Sequence, residues 1–428
     1  MDKFSKFLEE KLMPIGQKIN NIRFLQVIRM AMMPLIPFII AGSFTLIALN
    51  FPFIDKVLPA GFLEMLGNVL SPLSGTTLSL VAMFLAFLMG YNYAKTEEQK
   101  CEEVYAGITT LVAFLIVSPL SITVGEEVIG GVIPTTYMGS QGMFVALILC
   151  YLVAKVYCKI LSSKLKIRLP DSVPPMVSSS FESLIPVIIT LVLVCSINYC
   201  FTLTSFGNIH ALVNEIIQKP LLLIGTGLPA LLISQGLAQL LWFFGLHGDQ
   251  IVCSVMDPIL QTAGMENLSA YTAGDAVPYI ITDQFRALFV MIAFMSLVIA
   301  ILIVSKSNRL KGVGKVAVLP ATFCISEPVV FGAPVVMNAM LFIPWVLSRP
   351  VFGLITWLFM KFGLCPYPTG VAIPWTTPPV LSGFLATNSI MGAVVQIICL
   401  AIGVLMFIPF VKMIDKTYHQ EEIKTKEQ

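Results

Sequence analysis

The chain has 428 residues, 57% of them hydrophobic and only 12% charged, with a net charge of +2 and a mean hydropathy of +0.88. Soluble domains carry roughly a quarter charged residues, so most of this surface is built to face something other than water. The small net charge, with basic residues confined to loops, excludes a nucleic-acid binder. Nine cysteines without a CxxC pair, most of them inside apolar runs, read as small hydrophobes and not as a metal or redox centre.

In chain order, apolar character begins only near Phe24, after a polar, amphipathic lead that has no features of a cleavable signal. Apolar runs follow at Leu78–Gly90, Leu111–Pro119, Met143–Ala154, Leu184–Cys195, Ala287–Val304 and Val394–Val411. Each sits in a window long enough, or nearly so, to cross a hydrocarbon layer of ~30 Å. Backbone groups in lipid must be paired within the segment, which requires helices here. The predicted fold is an all-α integral membrane protein of about ten transmembrane helices.

Lysine and arginine cluster in four groups: Lys3–Arg29, Lys155–Arg168, Lys306–Lys315 and Lys412–Lys426. The positive-inside rule places all four, and both termini, in the cytoplasm. Helices near 27–49, 76–94, 104–122 and 140–160 then return the chain to the second basic group. The segment near 181–206 leads out and that near 284–305 leads back, which leaves the apolar stretch Leu221–Phe244 as an odd element. A second irregular stretch, between Phe362 and Asn388, holds Pro366, Pro368, Pro374, Pro378 and Pro379, which forbid a continuous helix. Two re-entrant hairpins are therefore predicted in the C-terminal half, where broken backbone lines a protein-enclosed cavity. The expected organisation is a five-helix scaffold and dimerisation domain over 1–206, an amphipathic bridge over 207–220, and a transport domain over 221–428.

That last part holds the residues with chemical potential. Glu327 lies in Cys324-Ile325-Ser326-Glu327-Pro328-Val329-Val330-Phe331-Gly332-Ala333-Pro334, an apolar, proline-broken run without a cation. An acid in such a place is a functional candidate, with a structural acid as the competing reading. His247 ends the run Phe243-Phe244-Gly245-Leu246-His247-Gly248, where Gly248 permits close approach of backbone to a ligand; a structural histidine is the alternative. His210 and His419 are expected to be solvated bystanders. Trp375, in Pro374-Trp375-Thr376-Thr377, can stack on the C–H face of a sugar or serve as an interfacial anchor. Asn338 and Asn388 are candidate hydroxyl partners. The acids Asp249, Asp257, Glu266, Asp275 and Asp283 make an acidic, cation-free stretch, with simple exposure of several of them to external or cavity water as the competing reading. Gly312-Val313-Gly314-Lys315 lacks the spacing of a phosphate-binding loop, and neither H-E-x-x-H nor metal-ligand spacing is present. No metal or cofactor is expected, and the energy for transport must come from a gradient or a partner.

The runs at 326–334, 243–248 and 374–379 resemble enzyme IIC, the membrane component of the bacterial phosphoenolpyruvate-dependent sugar phosphotransferase system, in its lactose/cellobiose/diacetylchitobiose branch. The resemblance extends from Leu12-Met13-Pro14 to the last span. It implies a homodimer in the bacterial cell membrane, joined through the N-terminal half. Such a protein carries a β-linked disaccharide inward and presents its 6-hydroxyl to a phosphocysteine on enzyme IIB. Here that donor is expected on a separate protein, so this chain is the permease subunit of a phosphotransferase. In that scheme Glu327 bonds the 6-hydroxyl and takes its proton, with His247 assisting. The rival expectation is an ion-coupled sugar permease that performs no phosphorylation.

Overall fold

The computed structural model describes residues 22–49, 54, 58–97, 101–124, 127–170, 172–245, 247–333 and 335–427. The amphipathic lead with Leu12-Met13-Pro14, and Lys56, Lys100, Leu246 and Pro334, lie outside them. Helix dominates. α1 (Arg23–Met32) passes through a 3-10 turn into α2 (Ile36–Leu49), followed by α3 (Ala60–Thr77), α4 (Val81–Lys95) and α5 (Glu103–Val117). A short antiparallel pair, β1 (Ser121–Val124) and β2 (Glu127–Gly130), departs from an all-helical fold, with Ser121 opposite Gly130 and Val124 opposite Glu127. Then come α6 (Met143–Leu161), α7 (Pro175–Thr202), α8 (Ile209–Val213), α9 (Lys219–Gly225), α10 (Leu228–Phe243), α11 (Gly248–Ala273), α12 (Met295–Val304), α13 (Asn308–Thr322), α14 (Glu327–Gly332), α15 (Ala339–Lys361), α16 (Leu381–Thr387) and α17 (Ile390–Glu427).

Among the described residues seven helices are long and apolar enough to cross a membrane, or eight if the pair Ile209–Gly225 and Leu228–Phe243, bent by 67°, forms one span. The difference from the ten of the sequence reading lies in short and broken elements, among them α5 with 15 residues. The odd element of the sequence reading is thus a bent helix pair, and α11 after it is an unbroken helix of 26 residues.

The chain forms two compact units, Met1–Thr45 with Asn68–Leu221 and Leu46–Gly67 with Leu222–Gln428. In the first, small residues let α4 and α5 touch. A Cβ on Gly90 would lie 2.5 Å from the Ala106 carbonyl, and one on Gly107 would meet the Phe87 ring. The Thr110 hydroxyl donates 2.8 Å to the Ala86 carbonyl across the pair. Close backbone approach of this kind is how helices associate where no hydrophobic difference separates lipid from side chain. Two cysteines depart from the reading as plain hydrophobes: Cys101 and Cys158 form a disulfide that joins the approach to α5 with α6. His210 is not a solvated bystander either. It is buried, its Nε2 lies 2.9 Å from the Ser118 hydroxyl, and its ring stacks on Tyr137. The apolar bridge folds His210 inward because α8 packs against α6. α7 leaves Met176, Ile188, Val192 and Tyr199 exposed along its length.

In the second unit α10 packs on α15, and α12, α15 and α16 pack on α17. Gly403 of α17 admits the Ser296 hydroxyl and the Phe352 ring, and Gly383 of α16 faces Gly392 of α17 at backbone distance. The carboxylates of α17 close the start of α13. Asp415 accepts from the amides of Lys306 (2.7 Å) and Ser307 (2.9 Å), and Glu422 from those of Asn308 and Arg309. Acids are favoured there because the first amides of a helix lack internal partners and carry its positive end.

Candidate functional site

All six residues singled out in the sequence lie in the second unit, in or at the ends of three segments that connect its longer helices. The first runs from the end of α10 to the start of α11. Gly245 takes φ +78°, a turn that glycine reaches without strain, and α11 starts at once with Gly248. A Cβ at Gly248 would sit 2.0 Å from the Ala238 carbonyl, so the contact between α10 and α11 by itself requires glycine there. His247 is exposed in the turn, with its ring centroid 4.4 Å from that of Trp242.

The second segment is the 326–338 motif. α13 ends in a reversal at Cys324 (φ 62°), and the chain restarts as the single-turn α14 with Glu327 at its first position and Pro328 behind it. Proline is tolerated at that point because its missing N–H has no partner in the first turn of a helix. Glu327 is exposed, and no hydrogen bond or ion pair to its carboxylate occurs among the described residues. Val329, Val330, Ala333 and Val335 anchor the motif in the core with Phe243, Trp242 and Trp345. Met337 (φ 58°) turns the chain into α15, whose N-cap is Asn338: its Oδ1 accepts from the Met340 amide at 3.1 Å.

The third segment joins α15 to α16. It is extended and turn-rich, as its prolines require. Trp375 projects from it, 53% exposed. Its far end is strained: Val380, a β-branched residue, sits at φ 76°, a conformation that costs of order 1–3 kcal/mol and survives only where the surroundings impose it. Gln396, fully buried on α17, imposes it. Its Oε1 accepts from the amides of Val380 (2.5 Å) and Gly383 (3.0 Å), while its Nε2 donates to the Leu288 carbonyl and the Ser382 hydroxyl. Asn388 caps α16 in the left-handed region (φ 49°) and donates to the Tyr271 hydroxyl at 3.0 Å. Asn267 binds the same segment to α11 by donating to the carbonyls of Tyr279 and Pro368.

Two links bring the segments together. The Met337 amide donates 2.8 Å to the Phe243 carbonyl, and the Cys324 thiol lies 3.7 Å from the Thr377 carbonyl. The four non-glycine residues with positive φ among the described residues, Cys324, Met337, Val380 and Asn388, all lie in the second and third segments or at their flanks. Strain confined to such a place is a mark of a functional site.

Within the 249–283 stretch Asp275 is exposed, whereas Asp249 and Asp257 are tied to arginines within the protein. Asp249 is buried and holds Arg349 through both oxygens, at 2.5 and 3.0 Å, while the indole of Trp242 donates to it at 2.8 Å. Asp257 accepts from Arg286 at 2.7 Å, and the other guanidinium nitrogen of that arginine points to the Cys253 sulfur. The acids were visible in the sequence but their partners were not, since Arg349 lies 100 residues from Asp249. Among the described residues no group of three or more metal-binding side chains occurs.

Known proteins share this fold. The model of the family "Phosphotransferase system, EIIC" matches residues 29–348. The oligo-beta-mannoside-specific EIIC component of Bacillus subtilis is 40% identical over 97% of this chain and 94% of its own length. The cellobiose-specific EIIC component of Geobacillus stearothermophilus is 36% identical over 99% and 96%. The crystal structure of the transporter ChbC, the IIC component from the N,N'-diacetylchitobiose-specific phosphotransferase system, superposes with a TM-score of 0.90 at 33% identity, over 97% of this chain and 99% of that one. A match over most of the length, in sequence and in fold, decides the family: this chain belongs to the EIIC components of the phosphotransferase system.

Proposed function

We propose that the chain imports a β-linked disaccharide of the cellobiose and diacetylchitobiose class and holds its 6-hydroxyl for phosphorylation by the phosphocysteine of a separate enzyme IIB. The observation that supports this most is the carboxylate of Glu327 at a break in the helix, without a partner among the described residues, within a family whose relatives are named for such sugars. An exposed carboxylate with no internal partner is free to accept a hydroxyl and take its proton as the phosphoryl group arrives. In-line phosphoryl transfer asks for little more than that positioning. Trp375 offers an aromatic face to the sugar ring, and His247 stands beside the acid-bearing segment as a second polar contact. Asn338 and Asn388 each keep a structural bond while presenting further polar atoms, and the backbone at Gly248 lets the ligand approach. Membership of the phosphotransferase family favours this reading over the ion-coupled permease.

The topology that goes with it has about ten crossings, to which the seven or eight candidate spans and shorter apolar helices such as α5 contribute. The two re-entrant elements lie within 221–283 and between Phe362 and Asn388. Both termini face the cytoplasm, since the basic groups flank the predicted inner ends of the spans. Residues 1–206 serve as scaffold and dimer interface, for which the exposed apolar face of α7 is the candidate surface, 207–220 as the bridge, and 221–428 as the transport domain. The test is Glu327→Gln in membranes supplied with the soluble phosphotransferase proteins. Sugar binding should be retained, and phosphorylation should fall by about 100-fold or more, the usual scale for loss of a general base. Phosphorylation at the normal rate would remove Glu327 from the mechanism.

A further inference from the structure

The ring of His247 lies against a buried chain of three side chains that begins on another helix. Arg349 on α15 is 2% exposed and clamps both oxygens of Asp249, a planar, bidentate geometry that fixes the carboxylate in rotation as well as position. Asp249 in turn accepts the indole N–H of Trp242. Trp242 and Asp249 stand on either side of the turn that carries His247, so their bond closes the turn like a staple. The same indole ring packs at 4.4 Å against the His247 imidazole. Arg349 itself is anchored one turn away. Gln239 donates to the Trp345 carbonyl and the Ser348 hydroxyl, and Trp345 donates back to the Gln239 carbonyl, which locks α10 to α15.

This arrangement is more than packing demands. A buried ion pair costs desolvation of both charges and is weak evidence of stability, and a charge in a membrane protein is retained where it has work to do. We propose that Arg349, acting through Asp249 and Trp242, is a positioning residue that sets the orientation of His247 at the sugar site. The inference rests on the reading of His247 as a residue of that site.

Two measurements on the purified full-length transporter test it. The variants are Trp242→Phe, which removes one N–H and keeps a ring, and the pair Asp249→Asn with Arg349→Gln, which leaves no lone charge buried. Trp242→Phe carries both measurements if the pair does not fold. First, diethyl pyrocarbonate labelling is read by mass spectrometry at each histidine. Labelling of His247, relative to His419 as internal reference, should rise by about threefold or more as the turn loosens. An unchanged ratio overturns the proposal. Second, phosphorylation with the soluble partner proteins is measured in a double-mutant cycle with His247→Ala. The variants should lower kcat at saturating sugar by about tenfold when His247 is present and by less than about twofold when it is absent. Equal losses in both backgrounds overturn it. If His247→Ala alone phosphorylates normally, the reading of His247 as a site residue has failed, and the labelling result decides by itself whether the staple exists.

Discussion

Glu327 and Trp375 differ in what each should lose when replaced, because one is proposed to act on a bond and the other on a surface. The loss at Glu327 belongs in the chemical step. Trp375 is more than half exposed and offers only its face, so Trp375→Ala should raise the sugar Kd by about three- to tenfold, the scale of a single aromatic contact. It should move kcat at saturating sugar much less. Titration calorimetry and initial rates separate the two, and an unchanged Kd would make Trp375 an anchor only. At this scale the sequence was legible where chemistry is local. An acid among prolines and a tryptophan beside them stand out without a structure. Partners were not legible: Asp249 read as one acid of a cation-free stretch, while its arginine lies on α15, and His210 read as a bystander because nothing in its own segment announces Ser118 or Tyr137. Gln396 carries no signal at all, since a glutamine in an apolar helix gives no hint that it clamps a strained turn 16 residues away.

Helices in this chain are held by how closely their backbones approach, so substitutions at contact glycines report on each element. Gly90→Leu would drive a side chain into the Ala106 carbonyl and Thr110. Overpacking of this kind costs about 1–3 kcal/mol, which should appear as a lower melting temperature in detergent, whereas Gly61→Leu, with open space around it, should leave the melting temperature unchanged. Gly248→Ala should loosen α10 from α11, since its Cβ would sit on the Ala238 backbone. Sugar binding should then weaken together with thermal stability; loss of binding in a fully stable protein would argue instead for direct contact at Gly248. Elements were the most legible scale for the long apolar runs and the least for the broken ones. Prolines told where the helix between 362 and 388 must stop, but the left-handed turns at Cys324, Met337 and Val380 occur at residues that seldom adopt them. Only tertiary contacts could place them.

For the whole molecule, composition alone fixed the solvent, because a chain with so few charges has no other surface to offer than one for lipid. Charge distribution suggested the inner face and the three short motifs suggested the family, to which the matches in sequence and fold then assigned it. The number of crossings was harder to read, since half-length and bent helices satisfy the bilayer only in company. What unites these scales is the claim that transport ends in chemistry at an acid left open by a broken helix. Uptake of labelled cellobiose or diacetylchitobiose into membrane vesicles holding this protein, enzyme IIB and the other soluble phosphotransferase components tests it most directly. The label should accumulate inside as sugar phosphate and only while phosphoenolpyruvate is supplied. Accumulation of free sugar, driven by an ion gradient without phosphoenolpyruvate, would contradict the account.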